Sequence, residues 1–505
     1  MGFFVHVVAL FSGAALMSLE MVGSRILAPF FGSSIYVWGS LIGVVLTALS
    51  LGYYTGGYLS DRFPRLSDTS IVFAIAGVWT GLIPVFSERL LPVLASGAPG
   101  IPSLLGASTL LFFVPSLLLA TISPWCVRLT LNRIDSAGRS AGLLYAVSNI
   151  GSIAGTFATS FYLIPSLGTE TILRCLSVSM LGVGAVLCIS ARPRRPKAAA
   201  LILCAALVFG LGPSLFPGGS AGVIYETQSL YHHFYVVEDG SRRLLKFDNS
   251  IQSGMYPERP YESVFPYTDF FHLALLFKED LEDVLFIGLG AGTVPKRFHR
   301  DYPDMTIECV EIDPEVTRIA REYFGFPGDE EIRVHTADGR AFLKSSEKAY
   351  DLIIVDAYYA DSIPFHLTTV EFYELVRERL KPGGVLASNL IGALEGEKSK
   401  LFRSMFHTIR RVFADTYVFP VNYSPGTESS LRNIEVFCLK PGEGFGVPQG
   451  KERLIEKARM LEGQRATIKG LPGFASSLYE GEIPVEGAVF LTDDYAPVDS
   501  LLYLY

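Results

Sequence analysis

Apolar residues follow two different patterns along this chain. Up to about residue 216 they form long runs; beyond it they form short runs bounded by turns and by helical periods. Runs of the length that crosses a lipid bilayer, roughly 20 residues, recur near 3–22, 36–58, 70–87, 103–121, 140–165, 170–190 and 198–216. They predict an N-terminal α-helical transmembrane bundle of about seven spans over 1–220. Small residues punctuate two of them, in "GYYTGGYLS" (Gly52–Ser60) and "SNIGSIAGTFATS" (Ser148–Ser160), a spacing that lets helix backbones approach closely. After "GPSLFPGGSAG" (Gly212–Gly222) short strands take over. "YHHFYVVE" and "RRLLKFDN" flank the turn Asp239-Gly240, a hairpin signal, within a small β-meander expected over 221–275.

From Val284 strands and helices alternate. Strands are predicted at Val284–Ile287, Thr306–Val310, Ile332–Thr336, Leu352–Val355 and Val385–Asn389. Helices are predicted near 293–301 and 314–324 and at Gly339–Ser345 and Val370–Leu380. This alternation predicts a parallel, doubly wound, Rossmann-like α/β sheet over 276–440, and it is the residues at the strand tips that make its expected type the class I adenosylmethionine-binding one. A C-terminal extension follows at 441–505. Such sheets bind ligands at the carboxyl ends of their strands.

Charge sharpens the division. Residues 1–220 hold 12 Lys+Arg and 6 Asp+Glu, net +6, and the remainder holds 30 and 44, net −14. The acidic half has no basic stripe, which excludes nucleic acid as a partner. The cysteines, Cys126, Cys175, Cys188, Cys204, Cys309 and Cys438, form no C-x-x-C pair, and neither a disulfide framework nor a metal site is expected. "MGFFVHVVAL" lacks the basic stretch of a cleavable signal and is expected in the mature chain. Glu20 lies inside the first span with Arg25 near its end; pairing between them, or a proton or polyamine relay, would justify a carboxylate at that depth.

Four successive strand tips carry the candidate chemistry. The first ends in Gly288-Leu-Gly290-Ala-Gly292, where glycine permits a tight turn and close approach of a ligand. The second places Glu311 about twenty residues on, where an acid can bind ribose hydroxyls. The third carries Asp338 and the fourth Asp356. The last glycine comes one position earlier than in the dinucleotide fingerprint, which together with Pro295 in the first helical turn favours an adenosyl sulfonium over a nicotinamide dinucleotide.

Over about residues 225–440 the chain resembles the spermidine synthase family of aminopropyltransferases. The family's opening strand appears as "YHHFYVVE", its "LDGxxQ" as "FDNSIQ" with Gln252, and its "YHE" or "YQE" as "YTD" with Tyr267 and Asp269. "PVNYSPG" matches a late polyamine-pocket segment and offers Tyr423. The resemblance implies nucleoside binding at Gln252, Gly288, Gly290, Gly292, Glu311 and Asp338, catalysis by Asp356, and amine binding at Tyr267, Asp269, Tyr359 and Tyr423. It also implies decarboxylated S-adenosylmethionine as co-substrate, no prosthetic group, a diamine acceptor and a homodimer. With its apolar half the whole chain resembles bacterial fused transporter/spermidine synthase proteins, and "GGYLSDRFPR" (Gly56–Arg65) resembles a cytosolic loop of major-facilitator transporters.

Three acids of the family pattern are absent. Ala291 stands in the glycine turn, Tyr359 at the family's second Asp, and Ile391 near a later pocket Glu. Asp361, Glu371, Asp493 or Asp494 are candidate substitutes if loops fold over the site, and Tyr358 and His366 are further candidates near it. Two alternatives therefore stay open: another S-adenosylmethionine enzyme, a methyltransferase or lyase, and a non-enzymatic polyamine sensor or transporter. The expected location is the cell (inner) membrane, multi-pass, with the catalytic half supplied from the cytosol. The arginines after the second, fourth and sixth spans mark the cytosolic side, yet seven spans would put the catalytic half opposite.

Overall fold

The computed structural model describes residues 2–31, 35–97, 100–131, 137–190, 205, 222–229, 231–358, 363–442, 450–464 and 469–501. They fall into two units, one of residues up to Ala221 with Thr227–His233, the other of Gly222–Glu226 and Phe234 onward.

In the first unit six helices among the described residues are long and apolar enough to cross a membrane: α1 (Phe3–Phe31), α2 (Ile35–Arg62), α3 (Leu66–Leu94), α4 (Ile101–Thr130), α5 (Gly138–Leu163) and α6 (Thr169–Ile189). Even α6, with 21 residues, is about 31 Å long at 1.5 Å per residue, enough for a bilayer core of about 30 Å. The first four continue past the expected apolar runs, because polar residues prolong the helices beyond the hydrophobic window, and the last two match theirs to within two residues. The seventh expected run, 198–216, lies outside the described residues apart from Ala205.

The small-residue stretches are where helices meet. A Cβ at Gly151 would stand 2.0 Å from the Leu10 carbonyl oxygen, and one at Gly155 2.3 Å from that of Ala14, so α5 lies directly on the backbone of α1. Gly52 and Gly56 do the same for α2 on α4, 2.5 Å from Leu117 O and 2.6 Å from Thr121. The pairing expected between Glu20 and Arg25 does not form: Glu20 is buried with no ion pair among the described residues. Side chains five apart on a helix point about 140° away from each other, whereas pairs form at three or four. Leu46, Tyr54, Ile150, Phe157 and Phe161 face outward, exposed.

The second unit begins with an antiparallel sheet in sequential order: β1 (Val223–Gln228), β2 (His233–Asp239), β3 (Arg242–Phe247), β4 (Ser250–Tyr256) and β5 (Arg259–Ser263). The expected β2–β3 hairpin is present, with Gly240 in its turn. In β4, Ser253 pairs with Leu245 and Ile251 with Lys246, leaving Gln252 as the extra residue of a bulge, a device that re-aims a side chain. A helical segment, Tyr267–Phe277, leads into the main domain.

There β6 (Asp283–Ile287), α7 (Thr293–Asp301), β7 (Thr306–Glu311), α8 (Pro314–Phe324), β8 (Arg333–Thr336), α9 (Gly339–Ser345), β9 (Tyr350–Val355), α10 (Val370–Arg379), β10 (Leu380–Gly392), α11 (Lys400–Val412), β11 (Asp415–Pro420) and β12 (Arg432–Leu439) form one α/β domain. The sheet order is β11-β12-β10-β9-β6-β7-β8. The chain runs outward from β6 to β8, then returns to place β9 on the other side of β6; that reversal is where such sheets open a ligand crevice.

The expectation of a parallel sheet needs one correction. β12 is antiparallel to both β10 and β11, so the sheet is mixed. No helix intervenes between β11 and β12, and without a crossover the strand can only return antiparallel. The C-terminal extension is not an appendage: Leu454, Leu461 and Leu471 are buried in the core on one face of the sheet, and Ile483, Leu491 and Val498 in the core on the other.

Candidate active site

The sheet register brings the candidate residues into one line. Val355 of β9 pairs with Ile287 of β6 and with Ser388 of β10, and Ile287 pairs with Val310 of β7. One step further along each strand, Glu311, Gly288, Asp356 and Asn389 stand abreast. Asn389 in turn pairs with Glu435 of β12. Five neighbouring strands thus present Glu311, Gly288, Asp356, Asn389 and Glu435 as a row across the sheet, at the tips of β6, β7 and β9 and within β10 and β12.

Gly288 makes the middle of the row possible. Its φ is +97°, and a Cβ there would stand 2.1 Å from the Asp356 carbonyl oxygen. Only a residue without a side chain lets the two backbones run so close. Gly292 opens α7 and packs under the Phe326 ring, while Gly290 faces Ser253 of β4. The bulge at Gln252 therefore lies beside the glycine turn. Glu311 accepts the backbone N–H of Leu289 at 3.1 Å and that of Asp313 at 3.0 Å, which fixes its carboxylate against the same turn. Asp338 caps α9 through Ala341 N at 2.9 Å, and its other oxygen meets His366 Nε2 at 2.7 Å. The His366 hydrogen bond, helped by the Ala341 N–H and opposed by burial, holds Asp338 below the usual carboxylate range.

Asp356 is the best-defined group. It is half-buried, accepting Tyr267 Oη–H at 2.9 Å on one oxygen and Asn389 Nδ2–H at 2.9 Å on the other. Burial pushes its carboxyl above the ordinary range, and the hydrogen bonds from Asn389 and Tyr267 pull only partly back. Burial, then the nearby Asp356, pushes the Tyr267 phenol well up, so Tyr267 stays protonated and donates. Both donors are neutral, and among the described residues no cationic side chain pairs with Asp356. A carboxylate held this way can take a proton from, and hold, an incoming cation.

The other predicted residues have partners of their own. Asp269 is ion-paired with Arg297, which also meets Asp301 at 3.4 Å; its carboxylate is committed to α7. Tyr423 donates to Glu428 Oε1 at 2.9 Å and lies against Arg432 and Tyr479. The Tyr358 hydroxyl donates to the Asn389 carbonyl at 2.7 Å. Tyr359 and Asp361 lie outside the described residues. Of the candidate substitute acids, Asp493 does fold in, but Arg340 grips both its oxygens at 2.6 Å. Glu371 accepts the Asp493 N–H at 3.1 Å, and Asp494 is exposed. Ala291 is fully buried.

Three site residues were not predicted. Asn389 orients Asp356 and is itself held by Asn433 Nδ2 at 3.0 Å. Glu435 is fully buried beside it, and neither of its carboxyl oxygens has a hydrogen-bond partner. The one signal in the sequence was an acid interrupting the apolar run "IEVFCL".

Comparison with known proteins bears on the chemistry. A family profile described as "Spermine/spermidine synthase domain" matches residues 265–427. A "Polyamine aminopropyltransferase" of Vibrio vulnificus is 35% identical over 309 residues, 60% of this chain and 98% of the relative. A "Probable polyamine aminopropyl transferase" of Bifidobacterium longum is 32% identical over 289 residues, 55% of this chain and 61% of the relative, so this chain spans less than two thirds of that protein. A human "eEF1A lysine and N-terminal methyltransferase" is 29% identical over 192 residues, 35% of this chain and 25% of the relative.

Proposed function

The chain belongs to the polyamine aminopropyltransferase family and is a transferase; from that premise we propose that it moves an aminopropyl group from decarboxylated S-adenosylmethionine to putrescine or a related amine, releasing methylthioadenosine. The observation that carries this reading is Asp356, a half-buried carboxylate held by two neutral donors at the sheet's reversal point.

The donor's nucleoside would lie over the glycine turn, with Glu311 toward the ribose and Asp338 toward the base, near Gln252. The acceptor arrives as an ammonium and gives a proton to Asp356. The freed nitrogen then attacks the carbon beside the sulfonium in line. The carbon–sulfur bond breaks with its electron pair left on sulfur, and the positive charge passes to the product nitrogen. Asn389 and Tyr267 keep the carboxylate aimed, and positioning of two cations supplies much of the rate. Tyr359 and Tyr423 remain proposed amine neighbours; Asp269 would serve only if Arg297 released it.

The six long apolar helices and their outward Leu46, Tyr54, Ile150 and Phe161 support membrane integration. Six spans would put the arginine-rich loops and the catalytic unit together on the cytosolic side of the cell membrane; a crossing at 198–216 would reverse this. We extend the family's dimeric state to this chain as part of the same proposal.

The test is methylthioadenosine release by the purified full-length chain, given each donor with and without putrescine. Release from the decarboxylated donor that requires the amine is expected. Turnover of the carboxylated donor instead would make the chain a methyltransferase or lyase.

A further inference from the structure

Resting on the aminopropyl-transfer reading, we propose that Glu435 is the acid that receives the second, non-reacting ammonium of the amine acceptor. It is an acid at a position that the family pattern did not assign, in a chain lacking the family's acids at Tyr359 and near Ile391.

The argument begins with alternation. Side chains along a strand alternate between the two faces of a sheet. Ile354, Ala387 and Phe437 all lie in the core on the face that carries Tyr267 and Phe271. Two residues on from Ile354 and Ala387, and two before Phe437, come Asp356, Asn389 and Glu435, which therefore share that face. They also share a level, since Ser388 pairs with Val355 and Asn389 with Glu435. Asn389 sits between the two carboxyls and commits its amide to Asp356 and Asn433. It leaves Glu435 with nothing.

A carboxyl in that state is costly. Glu435 is 0% exposed, and both of its oxygens lack a partner. Its neighbours Ile434, Val436, Phe437 and Phe419, which stands opposite it in β11, are buried apolar residues. A structural role at this position would be met better by another apolar side chain, because a buried polar group without a hydrogen bond weakens the fold. Burial, reinforced by Asp356, pushes the carboxyl well above the ordinary range, so it rests protonated until a cation arrives. An ammonium supplies both missing elements: a positive charge and several N–H donors.

Spacing sets the class of ligand. Two strand separations, about 10 Å, lie between the Asp356 and Glu435 backbones. An ammonium sits about 2.8 Å from each carboxylate it pairs with. A chain of a few carbons can therefore bridge the two acids, as in a short terminal diamine lying across β9, β10 and β12. The segment Tyr267–Phe270 packs against β12, and a shift of its Phe270 end, with Tyr267 still on Asp356, would admit the diamine's far end.

The test compares putrescine with butylamine, the same chain without its second nitrogen, as acceptors for wild type and Glu435→Gln. Glutamine keeps the shape of the protonated acid, and methylthioadenosine affinity reports that the variant is folded. Wild type is expected to prefer putrescine in kcat/KM, and Glu435→Gln to lose about tenfold or more of that preference through KM for putrescine, as removal of a charge-assisted hydrogen bond does. Equal discrimination by both proteins overturns the assignment. If wild type transfers no aminopropyl group, the reaction proposed above fails. Calorimetric titration of putrescine in the presence of methylthioadenosine still decides the role of Glu435. Weaker binding by Glu435→Gln supports it, and equal binding overturns it.

Discussion

Where the parallel strands begin, Asp283 meets Lys348 at 2.8 Å and Lys381 at 2.6 Å, and Asp351 meets Lys381 at 2.8 Å and accepts two backbone N–H groups. At the level where those strands end, Asp356 has only two neutral donors and Glu435, on the antiparallel β12, has none. Burial raises the proton affinity of all four carboxyls. At the first edge the lysines, with two backbone N–H groups at Asp351, outweigh it and hold Asp283 and Asp351 below the ordinary range; at the second, burial wins. Carboxylates matched within the chain tie the sheet together. Those left unmatched keep their affinity for a cation that comes from outside.

The sharpest break in this contrast is Asp356→Asn. It should lower turnover by about a thousandfold, within the range for losing a general base, and leave methylthioadenosine affinity within about twofold by calorimetry. Turnover near wild type would remove the base from the tip. At the opposite edge Asp351→Ala should cost about 3 kcal/mol of unfolding free energy in denaturant titration, since it removes a carboxylate only 5% exposed together with its lysine and two backbone N–H bonds. Glu435→Gln, which exchanges one neutral, unpartnered buried group for another of the same shape and breaks no bond, should leave stability within about 1 kcal/mol.

Tyr267→Phe sharpens the comparison more finely. Losing one of two donors to Asp356 should reduce kcat about tenfold and move the acid limb of the pH profile upward, because that hydrogen bond favours the carboxylate. The smallest expected effect separates activity from stability on acidification. Asp283 and Asp351 have depressed folded values, so their stabilisation is complete above the unfolded value of about 3.9 and vanishes only as pH falls through the lower folded values. Asp356 has a raised value and gains its proton at a higher pH. The kcat/KM profile should therefore fall at a pH where the melting temperature is still level; coincident losses would mean that unfolding limits activity.

Much of the main domain was legible because its signals are local. Asp313 before Pro314, Asp338 before Gly339 and Thr369 before Val370 each cap the helix that follows. The strands between them are apolar runs, and their tips carry the glycines and acids. What was missed depends on contacts between distant segments. Glu435 and Asn389 acquire their places only through the β10–β12 register, and β12 reverses because no crossover precedes it. Asp269 and Tyr423 were recognisable as an acid and a phenol, but Arg297 reaches Asp269 through tertiary packing, and Glu428 reaches Tyr423 through the conformation of the loop they share. The lengths of the first four apolar helices were underestimated because lipid-length hydropathy marks only their central parts.

The last segment of the chain carries a consequence for how the protein is made. Leu471 closes one core, and Leu491 and Val498 close the other. Neither face of the sheet is fully covered until these residues leave the ribosome. The apolar helices, made first, are complete long before. Translation therefore completes the long apolar helices before it supplies the residues that close the two cores of the α/β domain.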